Sequence, residues 1–316
     1  MTLAEDYEAL RHGAGARLVQ RDAVVVHGPD AESYLQGQCS QDVAALDVGA
    51  SADSLLLSPQ GKLDALVRVT RRAADEYLLD VDGGWGAAVR ARLERFKLRV
   101  KVDIEERALG FLAVRGPGAT AASSSVRAEL SVAFSWGGVE GVDLIGPDVG
   151  VPTLALLGPT VRQCGPAAWE AVRVEAGIPV MGAELDQRTI AAEADLVDRA
   201  VSLTKGCYTG QELVARLDAR GNKVARRLAG LVVAPGEPGA VPSGDTGDVG
   251  PPLPRGCEVL AGSDVVGTVT SSAWSPALGA VALAYLHRRV APPVTLAVQL
   301  GEREIGVEAR PLPLAG

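Results

Sequence analysis

The octet Lys205-Gly206-Cys207-Tyr208-Thr209-Gly210-Gln211-Glu212 sets one thiol in a glycine-flanked stretch, just ahead of the apolar residues Leu213, Val214 and Leu217. Thr209 and Glu212 stand at capping-box spacing, which predicts a helix from Gly210. The partial positive charge of that helix end, with Lys205 close by, would favour a thiolate at Cys207. The plainer reading is a structural cysteine in a tight loop, since most cysteines behave as inert hydrophobes. Residue types alone leave both open.

A second constellation is Trp169–Pro179, which reads as a helix ended by Gly177 and Pro179. Trp169 and Arg173 are four apart and share a helical face. An aromatic plane beside a guanidinium suits a flat heterocycle with a carboxylate tail. The alternative is Trp169 in the core and Arg173 in an ion pair with Glu170 or Glu175. Asp143 is a third candidate, an acid inside an apolar strand. If buried it must be paired or hydrogen-bonded, and it would suit a ring N–H and amino group; otherwise it faces solvent. Two basic stretches, Arg90 to Lys101 and Arg216 to Arg227, read as solvated faces or as a site for a polyanion such as a polyglutamate tail.

The elements that must position these groups are short. Ala23–Val26 is a strand, and Asp30 caps a helix over Ala31–Gln36 that Gly37 stops. Ser54–Leu57 and Leu63–Thr70 form a hairpin about Pro59–Gly61. Further strands are expected at Glu76–Val81, Arg99–Ile104, Ala108–Val114, Val132–Trp136 and Val142–Ile145, with a helix at Trp85–Phe96 and a short one at Ala119–Ala122. Pro235–Gly256 is dense in proline and glycine and reads as a loop or linker. Short strands on both sides predict a small β-barrel beginning near Arg227. The fold class is therefore α+β, with residues 1–226 as one region and residues 227–316 as the barrel.

Bulk properties exclude other classes. The 316 residues are 47% hydrophobic, enough for a large core, with no apolar run long enough to span a bilayer. The acidic, charged N-terminus argues against a secretory signal, so a cytoplasmic protein is expected, without membrane contact. A net charge of −8 disfavours direct nucleic-acid binding. Four scattered cysteines and three histidines provide neither a disulfide framework nor a metal site. There is no Walker A loop and no GxGxxG motif after a strand.

The octet resembles the K-G-C-[FY]-x-G-Q-E signature of YgfZ-type proteins, a folate-binding branch of the aminomethyltransferase (GcvT) family. Gly28–Val43, with Tyr34-Leu35-Gln36-Gly37-Gln38, is similar to the family's opening segment. Leu57–Lys62 is similar to its early hairpin and Trp169–Pro179 to its W-x-x-x-x-x-E-A-G-x-P helix. Val269–Ser272 with Gly279–Leu283 is similar to its barrel. The resemblance implies a folate-binding α/β region followed by a β-barrel. It implies folate contacts at Trp169, an acidic pterin partner at Asp143, a tail-binding Arg173 and a functional thiol at Cys207. The implied cofactor is tetrahydrofolate. The implied role is support of iron–sulfur cluster assembly or repair, including enzymes that thiolate tRNA, with assembly factors or client enzymes as partners. The alternative is an aminomethyl or one-carbon transferase. Gly61-Lys62-Leu63-Asp64-Ala65 departs from that enzyme's G-G-x-x-D-D pattern by keeping only one acid, which disfavours glycine cleavage.

Overall fold

In the computed structural model, residues 2–237 and 252–315 are described. The first half of the chain runs α1 (Leu3–His12), β1 (Gly15–Leu18), β2 (Arg21–His27), α2 (Ala31–Gln38), β3 (Ser51–Leu57), β4 (Leu63–Ala73), β5 (Glu76–Asp82), α3 (Gly86–Phe96), β6 (Asp103–Arg107), β7 (Gly110–Arg115), α4 (Ala119–Ser123), β8 (Leu130–Trp136) and β9 (Val139–Gly146). Then come α5 (Val151–Leu156), β10 (Arg162–Gln163), α6 (Pro166–Glu175), a 3-10 turn at Ala191–Glu193, α7 (Val197–Ala200) and α8 (Gln211–Asp218). The remaining strands are β11 (Arg226–Val233), β12 (Glu258–Ala261), β13 (Asp264–Ser275), β14 (Gly279–His287), β15 (Val294–Leu300) and β16 (Arg303–Arg310).

Two five-stranded sheets carry the first region. One has the order β10-β1-β7-β9-β8 and the other β3-β4-β5-β2-β6. Alternation along each strand gives each sheet two different faces. In the first sheet Ala16, Leu112, Val114, Val142 and Leu144 are buried together on one face. The opposite face sends Phe111, Val132 and Ile145 against Ala23, Val25 and Leu78 of the second sheet. The sheets thus pack face to face over part of their length, and the same inward face carries the charged residues described below.

The last six strands close into a barrel, β11-β14-β13-β12-β15-β16, filled by small and branched residues such as Leu231, Val259, Ala282, Ala284, Val298 and Val307. Its outside, at Val232, Ala273, Val281 and Leu283, packs on Ala168, Ala171, Val172 and Val174 of α6. One helix is thereby clamped against the barrel. The mixed α/β body and closed C-terminal barrel are the α+β architecture the sequence predicts.

Several local expectations need correction. Gly37 does not stop α2, which continues to Gln38. The Asp30 side chain does not cap that helix; its Oδ2 accepts from the Lys101 amide at 2.7 Å. The strand expected at Arg99–Ile104 begins only at Asp103, after Arg99 adopts a positive φ of 55°. Of the loop Pro235–Gly256, residues 238–251 lie outside the described residues.

Candidate functional site

A cavity of about 790 Å³ opens where the inward sheet faces diverge beside α6. That volume falls in the range of small-molecule sites, roughly 300–1,000 Å³. Trp169, Arg173 and Asp143 all line it, so two residues of α6 meet the aspartate of β9. Phe134 and Trp136 of β8 join them, two residues apart and therefore on one strand face.

Asp143 sits at the centre of a buried charge cluster. Arg68 Nη1 donates to its Oδ2 at 2.5 Å, while Arg68 Nε donates to Asp80 Oδ2 at 2.9 Å. Arg21 binds Asp80 and Asp82 from the next strand. Arg115 Nη1 lies 2.8 Å from Asp143 Oδ1, but its hydrogens are directed to the carbonyls of Val114 and Val142. Asp143 Oδ1 is consequently a buried oxygen with no hydrogen bond made to it. Burial alone would raise this carboxyl's pKa, yet Arg115 and Arg68 outweigh it and hold the group well below the usual carboxylate range. It is an ionised acceptor.

The aromatic partners also differ from expectation. The guanidinium over the Trp169 ring is that of Arg115, at 5.4 Å, and it also lies 3.7 Å from the centre of Phe134. Arg173 instead makes two hydrogen bonds to Glu170, at 2.8 and 2.6 Å, one to the Ile178 carbonyl and one to Glu184. Of the two expected pairings the one with Glu170 forms. Glu175 lies elsewhere, accepting from the Tyr7 hydroxyl at 2.9 Å. Arg173 lines the cavity with four of its five N–H groups already committed.

The octet is built differently. Helix α8 starts at Gln211, and its N-cap is Gly210 in the left-handed conformation, φ +84°. The expected capping box does not form: the Thr209 amide donates to the Gly37 carbonyl, and Glu212 is exposed. Gln211 replaces it, its Oε1 accepting from the Tyr208 amide at 3.1 Å. A methyl group at Gly210 would run into the Ser58 carbonyl and Leu57, so glycine is required there for the loop to seat on the β3–β4 turn. Lys205 spends its ammonium on the carbonyls of Gln36, Cys39 and Gln41, at 2.7, 2.8 and 2.9 Å. All three donors are used, so Lys205 anchors the loop to the end of α2. Tyr208 packs on the main core, and burial pushes its hydroxyl up to about 12.

Gly206 and Cys207 remain exposed at the loop's crest. Cys207 is not among the residues lining the cavity. The other thiols are less accessible: Cys39 and Cys164 are buried, and desolvation pushes each up to about 11. Cys257 is half-buried.

Arg68, Arg115, Arg21 and Phe134 were missed by sequence reasoning. The signal was a charge within an apolar strand, Leu66-Val67-Arg68-Val69, the same signal that singled out Asp143. Neither basic stretch lines the cavity. Arg92 is buried against Asp64, Gln38 and the Leu57 carbonyl, and Arg226 pairs with Glu193 over the Tyr285 ring.

Among the described residues no helix is long and apolar enough to cross a membrane.

Comparison with known proteins places this geometry. The GCVT N-terminal domain matches residues 2–152, and the glycine cleavage T-protein C-terminal barrel domain matches residues 226–314. An aminomethyltransferase of Thermus thermophilus is 26% identical over 99% of this chain and 90% of its own length. An uncharacterized protein of Haemophilus influenzae is 28% identical over 65% of this chain and 68% of its own. A tRNA-modifying protein YgfZ of Colwellia psychrerythraea is 28% identical over 62% of this chain and 65% of its own. The crystal structure of glycine cleavage system aminomethyltransferase T from Bartonella henselae superposes with a TM-score of 0.82 at 22% identity, covering 99% of this chain and 89% of that one. That likeness establishes the fold.

Proposed function

We propose, from the premise that this chain belongs to the aminomethyltransferase (GcvT) family as a YgfZ-type member, that it binds tetrahydrofolate between its sheets and serves iron–sulfur proteins through Cys207. The observation that carries the folate half is Asp143 Oδ1, a buried carboxylate oxygen without a hydrogen bond, in a cavity walled by Trp169. A buried acceptor without a hydrogen bond is costly, at most about 1–3 kcal/mol here because the Arg115 charge 2.8 Å away offsets part of it, and a donor supplied by a ligand would complete its partners. A pterin edge presents N–H donors, and its flat ring matches Trp169 and Phe134. The residues present therefore fit tetrahydrofolate. Asp143 would accept from the ring, Arg68 and Arg115 would keep it ionised, and Trp169 would cover the ring face. Bound folate would supply a carrier for one-carbon units.

The accessory half rests on the thiol's position. Cys207 faces outward on an anchored loop, accessible to another protein rather than to the cavity. One thiolate cannot hold an iron–sulfur cluster, which needs several ligands. A partner or small thiol must complete the set, so the step is a transient ligand or thiol exchange. The relatives named tRNA-modifying proteins support a role in tRNA modification, and the clients proposed for it are iron–sulfur enzymes that thiolate tRNA.

Calorimetric titration of the whole chain with tetrahydrofolate in folate-free buffer should give one binding isotherm. No heat above dilution would overturn the folate half. In cells lacking the endogenous protein, Cys207→Ala should fail to restore tRNA thiolation although it still binds folate. Full restoration would remove the accessory half.

A second reading, transfer of an aminomethyl or other one-carbon group, is favoured by the near full-length similarity to the Thermus enzyme. Against it, Asp64, the acid retained in the hairpin, is paired with Arg92 at 2.9 Å and does not line the cavity. Turnover of an aminomethylated carrier that Asp64→Asn abolishes would establish this reading.

A further inference from the structure

Six arginines line the cavity: Arg17, Arg21, Arg68, Arg115, Arg173 and Arg199. Five have a carboxylate at ion-pair distance. Arg21 has Asp80 and Asp82, Arg68 has Asp80 and Asp143, Arg115 has Asp143, Arg173 has Glu170 and Glu184, and Arg199 has Asp53. Arg17 alone among them makes no ion pair within the described residues. Its one hydrogen bond is from Nη1 to the Cys164 carbonyl at 3.3 Å, which leaves four N–H groups without a protein acceptor.

Its place in the sheet makes this position informative. Arg17 pairs in register with Ala113, and Ala113 pairs with Asp143, so the three form one row on the inward face. Two strand spacings, about 10 Å of backbone, separate the unneutralised cation from the carboxylate whose Oδ1 accepts no hydrogen bond. Ala113 between them carries no bulk into the cavity. The site therefore has two unfinished ends of opposite chemistry: one wants a hydrogen-bond donor and the other an anion.

We infer that Arg17 is the specificity-determining residue that receives the ligand's carboxylate. This rests on the folate reading and assigns the glutamate tail to Arg17 rather than to Arg173, which has a single N–H group left. A guanidinium offers a planar fork to a carboxylate, and a partly enclosed charge gains most from a partner that water does not replace. Arg17 thereby selects tetrahydropterins carrying a distal acid over those that end at the ring.

The test titrates wild type, Arg17→Gln and Arg17→Lys with two probes: tetrahydrofolate, and 6-methyltetrahydropterin, which has the ring but no acid. In Arg17→Gln, tetrahydrofolate affinity should fall by roughly ten- to a hundredfold, as expected for a lost charge-assisted hydrogen bond. Affinity for the acid-free pterin should stay within about twofold. Arg17→Lys, which keeps charge but not the fork, should fall between, and its two-probe comparison stands in if the glutamine variant does not fold. An unchanged ratio of the two affinities in the variants would overturn the assignment while leaving the folate reading intact. Absence of binding by wild type would overturn both.

Discussion

At the cavity wall, Arg68, Asp143 and Arg115 are buried and held by charge, with Asp80 bound to Arg68, whereas the loop around Cys207 is fastened by backbone carbonyls and leaves its thiol in solvent. The first arrangement fixes side chains in a shape before any ligand arrives, which suits enclosed recognition. The second fixes a backbone path and leaves the side chain at its crest untouched, which suits contact with another macromolecule. The contrast teaches that the two regions should fail differently. Damage to the wall should cost stability and binding together, and damage to the loop crest should cost neither.

The sharpest break is Arg68→Ala. It strips Asp80 and Asp143 of a shared partner inside the protein, and removing one member of a buried ion pair costs about 3–5 kcal/mol. Urea unfolding should register that loss, while Cys207→Ala should stay within about 0.5 kcal/mol of the parent. Equal effects at the two positions would erase the contrast.

Acid should find the wall next. The Asp143 pKa is depressed in the folded protein, so its contribution to stability is present above the ordinary carboxylate range, about pH 4, and is lost as pH falls through its folded value. Urea midpoints measured from neutral into acid should drop on the acid side. Asp143→Asn should be less stable at neutral pH and show a flatter acid limb. An identical acid limb in that variant would show that other carboxylates carry the effect.

Smaller effects test the loop. Gly210→Ala forces a side chain into the left-handed region and against Ser58, at about 1–3 kcal/mol, and should loosen the octet without reaching the cavity. Its signature is a modest fall in melting temperature with tetrahydrofolate binding preserved. Finally, a thiol reagent applied to the native protein should label Cys207 first, Cys257 more slowly, and Cys39 and Cys164 only on unfolding. Rapid labelling of two or more thiols would contradict the burial described.

Much of this molecule was legible in its sequence, and what was not has a physical pattern. The β3–β4 hairpin, α3, α6 and the barrel follow from local periodicity and turn residues, which act over a few positions. Trp169, Asp143 and Cys207 stood out because each is a chemically distinct residue in an apolar or glycine-rich setting. What could not be read was pairing. Arg68 meets Asp143 across two sheets, 75 residues away, and Arg173 meets Glu184 as well as Glu170, because register and packing decide partners. The Thr209 capping box failed for a related reason. Docking on Gly37 drew its amide elsewhere and left Gly210 as the N-cap.

One paired measurement bears most directly on the separation of the two regions. Tetrahydrofolate is titrated into Trp169→Ala and Cys207→Ala under one set of conditions, with the wild type alongside. Binding should collapse in the tryptophan variant and match wild type in the cysteine variant. Undiminished affinity without the indole, or a loss on removing the thiol, would contradict a ligand cavity walled by Trp169 and a thiol that stands outside it.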